Sequence, residues 1–197
     1  VFGYPSGEFP PIPDFPKEGS AADSFSIDAD LLSQLITRTI FSTARENSRY
    51  AINGVLLKRE NKKIAMVATD GRRLALAKGS CAPDGDSEGG QCIVPTKALS
   101  LALKLLSTAS EKVRVAVTDS QIMFRFDDGE DATVLTSNLV EGTFPPYEDV
   151  LPKDQDKKAT LNVEILSSAV RRAALLTNEE SRGVRMAFST NDKSLRL

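Results

Sequence analysis

The run Thr69-Asp70-Gly71-Arg72-Arg73-Leu74 is the stretch of this chain best suited to recognition chemistry. Asp70 and Gly71 break a strand, and glycine supplies the backbone angle that a tight turn requires. Two consecutive arginines beside such a turn are hard to place in a core, so the sequence predicts an exposed turn. Catalytic alternatives are sparse. Histidine is absent from all 197 residues, which removes Ser-His-Asp, Cys-His and histidine–metal arrangements. Cys81 and Cys92 are too few for a disulfide scaffold and sit in no metal-ligand cluster, so they read as plain thiols. Asp127, Asp128, Glu130 and Asp131 crowd around Gly129, a pattern that predicts a solvated hairpin tip rather than a metal site. The acidic stretch Asp84–Glu88 reads as a flexible surface insertion. A carboxylate-dependent hydrolase stays formally open, but it needs paired acids on rigid elements in a pocket. The acids here fall on turns and helix ends.

Basic residues supply the second signal. Arg38 and Arg45 lie seven apart, as do Lys97 and Lys104, and that spacing places each pair on one helix face. Arg171 and Arg172 occupy the body of a third predicted helix. The acids Asp28, Asp30, Glu46, Glu111, Glu164 and Glu179 sit at helix ends, where the helix dipole alone favours some of them. Exposed basic faces are usually just solvated. Recurrence on three helices, in a chain of net charge −2, favours phosphate contact without sequence readout.

These residues need elements to position them. Ser24–Asp28 alternates as a strand, and Asp28 or Asp30 can cap a helix carrying Leu31, Leu32, Leu35, Ile36 and Ile40. Strand-like runs follow at Tyr50–Lys58, Ile64–Thr69 and Arg73–Ala77. After the loop at 82–91, Cys92–Pro95 is a strand and Thr96 opens a helix with Leu99, Leu103 and Leu106 on its buried side. Val113–Val117, Ile122–Phe126 and Thr133–Thr136 are further strands. The pattern βαβββ is therefore written twice, and it predicts an α+β domain of two helices on antiparallel sheets. Ala159–Val163, a helix near Glu164–Thr177 and strands at Val184–Ser189 and Ser194–Leu197 begin it again. The chain also repeats itself at domain distance: Phe9-Pro10-Pro11 returns as Phe144-Pro145-Pro146, and Leu32, Ser33, Arg38, Thr43 and Glu46 return as Leu166, Ser167, Arg172, Thr177 and Glu180. Tandem domains follow, with 1–22 a tail and linker, 23–150 one complete domain, and 151–197 the opening of another. A hydrophobic content of 41% with no run of about 20 apolar residues predicts no membrane span. No secretory leader opens the sequence, so the expected location is the cytoplasm.

The blocks RYAINGVLL, VATDGRRLALA, IVPTKAL, TSNLVEGTFPPYEDVLP and SRGVRMAFS resemble, in order and spacing, the bacterial DNA polymerase III beta sliding clamps. That resemblance implies a protomer of three similar domains, each of two βαβββ units, with two protomers closing into a homodimeric ring around duplex DNA. It implies a non-enzymatic processivity factor without metal or cofactor, truncated here to the end of domain one, all of domain two and the start of domain three. A groove between domains two and three would take short peptide motifs of the polymerase, the clamp loader and repair proteins. Its residues here would be Arg49, Ile52, Thr69, Gly71, Arg72, Arg73, Leu74, Pro145 and Val150. Arg38, Arg45, Tyr50, Lys97, Lys104, Arg171 and Arg172 would face DNA. Arg72 stands where many relatives have histidine, Ala51 where an aromatic is often found, and Asp149 where a basic residue is frequent. The competing readings are an interaction scaffold that keeps the groove without encircling DNA and, less favoured, the hydrolase.

Overall fold

Alternation in Asp23–Asp28 builds the first strand, β1, with Phe25 and Ile27 turned into the core. Asp28 then ends the strand and caps helix α1 (Ala29–Thr37), its carboxylate accepting from the Leu31 N–H at 2.9 Å. In the computed structural model of the chain, residues 3, 5, 7, 13–17, 23–44, 52–107, 111–128, 131–177 and 183–197 are described. They fall into two compact units, Val1–Val150 and Leu151–Leu197.

In the first unit α1 is followed by a 3-10 turn (Ile40–Ser42) and a meander of β2 (Gly54–Glu60), β3 (Lys63–Thr69) and β4 (Leu74–Ser80). Next come the short β5 (Ala82–Pro83), β6 (Gln91–Pro95), helix α2 (Thr96–Leu106), β7 (Lys112–Val117), β8 (Gln121–Asp128) and β9 (Asp131–Asn138). These strands form two antiparallel sheets, in the orders β4-β3-β2-β6 and β5-β1-β7-β8-β9. Helices α1 and α2 pack on each other and bury Leu32, Leu35, Ile36, Leu99 and Ala102 against both sheets, with Met66, Val115 and Phe124 in the same core. Each fully buried leucine or phenylalanine there contributes roughly 1.5–3 kcal/mol of transfer free energy.

Strand β2 shows why a site can form on the other side of this sheet. It pairs with β3 in the register Leu56↔Val67 and Leu57↔Met66. Successive side chains point to opposite faces, so Leu57 and Met66 meet the helices. Leu56 and Val67 meet a second cluster with Ile52, Ile93 and Phe144, against which Leu74 and Tyr147 pack. Both faces of the sheet are covered. The cover is the connector after β9, anchored by the Val140 N–H to the Ile93 carbonyl at 2.9 Å and plugged by Phe144.

The second unit contains α3 (Val163–Ala174) and the hairpin β10 (Ala187–Ser189) with β11 (Ser194–Arg196). Asn162 caps α3, its side-chain oxygen accepting from the N–H groups of Glu164 and Ile165 at 3.0 and 3.1 Å.

Three expectations need correction. The segment 159–163 is no strand, because Asn162 turns the chain into the helix that Val163 opens. Helix α1 stops at Thr37, so Arg38 is its C-terminal cap residue rather than part of a longer helix body, and Arg45 lies outside the described residues. Just past that end, buried Thr39 satisfies the last carbonyls, its hydroxyl donating to those of Leu35 at 2.7 Å and Ile36 at 3.2 Å. The acidic stretch Asp84–Glu88 is pinned rather than flexible. Arg59 on β2 is fully buried, forms an ion pair with Asp23, and donates to the Ser87 carbonyl and hydroxyl at 3.0 Å. The Asn61 N–H reaches the Glu88 carbonyl at 2.7 Å, and the Asp84 N–H reaches the Ser24 carbonyl at 2.9 Å.

Candidate functional site

The turn between β3 and β4 is held from within. The Thr69 hydroxyl accepts from the Gly71 N–H at 3.1 Å and donates to the Arg73 carbonyl at 2.8 Å. Gly71 adopts φ +84°, a left-handed conformation that costs other residues strain. Asp70 Oδ1 accepts from the N–H groups of both Arg72 and Arg73 at 3.0 Å, and Oδ2 accepts from Arg73 Nε at 3.0 Å. These donors, the Arg72 N–H foremost, hold the Asp70 carboxyl below its usual range. The far end of Arg73 donates to the Phe41 carbonyl at 2.8 Å, with its guanidinium 5.7 Å from the Phe41 ring centroid. Arg73 therefore fastens the turn to the segment after α1. Arg72 fastens nothing: among the described residues its guanidinium has no hydrogen bond or ion pair.

Opposite this turn stands the connector. Phe144 is buried, and Tyr147 meets it edge-on with ring centroids 6.4 Å apart. A 3-10 turn, Tyr147–Val150, carries Glu148 to within 3.5 Å of Lys58 Nζ, which also pairs with Glu60 at 2.9 Å. That carboxylate pair, Glu60 first, raises the Lys58 pKa. Burial, followed by the charge of Glu148, raises the Tyr147 hydroxyl.

Between the two walls lies a pocket of about 460 Å³. Thr69, Gly71, Arg72, Arg73 and Leu74 line one side, Pro145, Pro146, Tyr147 and Val150 the other, and Ile52 joins them. Eight residues singled out from the sequence thus share one pocket; Arg49 lies outside the described residues. Pro146 and Tyr147 were not singled out, although both stand in the FPPY motif. Ile52 is buried while Val150 remains 68% exposed at the mouth. A concave, largely apolar surface with a few polar groups is suited to holding bulky apolar side chains in a set orientation.

A larger cavity of about 970 Å³ lies where β6 and β9 diverge, with Thr118, Asp119, Asn138 and Glu141 among its lining residues. It holds none of the residues singled out as site candidates.

The basic residues are distributed differently. Lys97 and Lys104 are exposed on α2, and Arg38 is exposed at the end of α1. Arg171 and Arg172 are exposed in the last turn of α3, in the second unit. Arg45, Tyr50 and Ala51 lie outside the described residues. Asp127 is paired with Arg125 Nε at 2.8 Å, and no cluster able to hold a metal ion occurs among the described residues. Nor is any described helix long and apolar enough to cross a membrane.

Comparison with known proteins places this geometry in a family. Residues 26–146 match the central domain of the DNA polymerase III beta subunit, and residues 148–197 match its C-terminal domain. The beta sliding clamp of Caulobacter vibrioides strain NA1000 is 35% identical over 187 residues, covering 93% of this chain and 48% of the relative. That of Escherichia coli K12 is 35% identical over 188 residues, covering 95% and 48%. The crystal structure of the Pseudomonas aeruginosa DNA polymerase III beta subunit superposes with a TM-score of 0.78 at 34% identity, over 93% of this chain and 48% of that one. A P. aeruginosa clamp bound to griselimycin gives 0.81 at 32% identity, over 98% and 52%. The chain spans about half the length of the curated relatives it matches. Its α+β layers of helices on antiparallel sheets are those of the clamp fold, and the chain belongs to the DNA polymerase III beta subunit, or beta sliding clamp, family.

Proposed function

We propose that this chain is part of a DNA sliding clamp that encircles duplex DNA as a homodimeric ring. It tethers the replicative polymerase, the clamp loader and repair proteins through short peptide motifs. Residues 1–22 would be the tail of a first clamp domain, 23–150 the second domain and 151–197 the start of the third. The role is non-catalytic and cytoplasmic, and needs no cofactor. Tethering works through effective concentration: a polymerase held beside the primer end rebinds before it diffuses away. Arg38, Lys97 and Lys104, with Arg171 and Arg172 of the second unit, would face DNA, with Arg45 and Tyr50 alongside. Contacts confined to phosphates are weak, salt-sensitive and blind to sequence, which suits sliding.

The observation that carries this reading is the pocket formed by the Thr69–Leu74 turn and the Pro145–Val150 connector; Arg49 would belong to the same peptide site. Apolar peptide side chains would fill it against Ile52, Leu74 and Val150. Calorimetry with a peptide containing glutamine and leucine tests it. Leu74→Asp places a charge against those side chains and should cost roughly 1–3 kcal/mol of binding. Unchanged affinity would remove the pocket from the function.

A further inference from the structure

Arg72 in the turn wall and Asp149 on the connector, next in sequence to pocket-lining Val150, carry opposite charges that have no ion pair among the described residues. On the turn, the carboxylate of the neighbouring Asp70 already accepts from two backbone N–H groups and from Arg73 Nε. Arg72 is exposed and lines the pocket. On the connector, Glu148 is drawn to Lys58 at 3.5 Å. Its neighbour Asp149 is exposed between Tyr147 and Val150, both of which line the pocket, and has no ion pair among the described residues. Arg72 and Asp149 do not pair with each other. Exposed Val150 and half-buried Leu74 stand in the pocket wall with Arg72.

We propose that the occupant is a charge-polarised peptide segment, with apolar anchors flanked by a carboxylate that meets Arg72 and a cationic side chain that meets Asp149. This rests on the peptide-binding reading above and specifies which peptides the pocket selects. The apolar anchors supply affinity. The two rim charges set direction and register, because complementary charge discriminates between orientations more than it adds binding energy. A peptide entering the opposite way round brings like charges together at both ends. The arginine suits a carboxylate, whose two oxygens match its forked donors.

The test uses one apolar core built into three synthetic peptides: aspartate before and lysine after, the reverse order, and a neutral version. Affinities are measured at low and high salt for this chain, for the double reversal Arg72→Glu with Asp149→Lys, and for Leu74→Asp. Both reversed positions are exposed, and thermal melting confirms that the variants are folded. One charged order should bind about two- to fivefold tighter than the neutral peptide at low salt and the other weaker, a gap that narrows as salt screens the rim. The double reversal should invert the preferred order, with the neutral peptide shifted less than either charged one. Equal binding of both orders by the native chain, with the neutral peptide still sensitive to Leu74→Asp, would overturn the polarity and leave the pocket standing. Failure of all three peptides to bind, or indifference to Leu74→Asp, would overturn the pocket reading and the polarity with it.

Discussion

Two aspartate–arginine systems hold down two loops of the first unit, and they do so in opposite solvents. Arg59 is completely buried on β2, with its guanidinium 5.7 Å from the Phe25 ring and donors on Asp23, the Asn61 carbonyl and Ser87. Arg73 is 58% exposed beside Asp70, with its donors on that carboxylate and the Phe41 carbonyl. Burial makes the first an anchor: every polar contact has to be met internally, and nothing is left for a ligand. Exposure makes the second a scaffold. One arginine orders the turn while its neighbour Arg72 stays available at the pocket. The same pair of residue types therefore builds structure in one place and a recognition surface in the other, and the surrounding solvent decides which.

The comparison breaks most easily at the buried end. Arg59→Ala leaves Asp23 without its partner and should cost about 3–5 kcal/mol in urea denaturation. A loss below about 1 kcal/mol would make the buried pair no stronger than an exposed one. Gly89→Ala attacks the same anchor from the loop. An added Cβ would lie 2.4 Å from the Arg59 carbonyl oxygen, at a φ of +101° that disfavours side chains. Strain and overpacking together should cost roughly 1–3 kcal/mol, while peptide affinity at the separate pocket stays unchanged. Parallel loss of stability and binding would mean that the two regions are coupled.

At the exposed end, Arg73→Gln should lower stability by less than about 1 kcal/mol. The same substitution should weaken peptide binding several-fold, because the turn loses its tie to Phe41. Chemical denaturation and calorimetry on one preparation separate the two effects. A stability loss matching that of Arg59→Ala would erase the distinction between anchor and scaffold.

Much of this was legible in the residues, and the misses share a cause. Leu99, Leu103 and Leu106 marked the buried side of α2, and the Asp70-Gly71 break marked the turn, because periodicity and turn chemistry are local. The end of α1 was invisible because the last carbonyls are met by the buried Thr39 hydroxyl, whose burial is a tertiary fact. The 84–88 stretch looked like a free acidic loop because the arginine that fixes it lies on β2, 28 residues before Ser87. Tyr147 escaped notice in the site, although Pro145 of the same FPPY motif was assigned to it. Its part in the pocket comes from packing on Phe144, which in turn requires the apolar outer face of β2 and β3.

The smallest expected effect concerns the charge of Asp70. Its carboxyl is held low by the Arg72 and Arg73 N–H groups and by the Arg73 side chain. A carboxylate with a lowered folded pKa contributes stability that is fully present above its unfolded value near 4. That contribution is lost as pH falls through the lower folded value. Protonation would release Arg73 Nε from Oδ2, while Oδ1 could still accept from the backbone. The turn should therefore loosen rather than unfold, with a modest decline in stability and peptide affinity below about pH 4. Glu60 is also held below its usual range, by Lys58, so acid sensitivity needs a variant to assign it. Asp70→Asn is that variant. It keeps an oxygen for the two backbone donors and removes the charge, so the variant should lose part of the acid-side slope while binding peptide nearly normally at neutral pH. An unchanged slope would place the acid sensitivity elsewhere. The scaffold would then stand on the geometry of its hydrogen bonds alone, and the charge of Asp70 would matter no more than that of any solvated carboxylate.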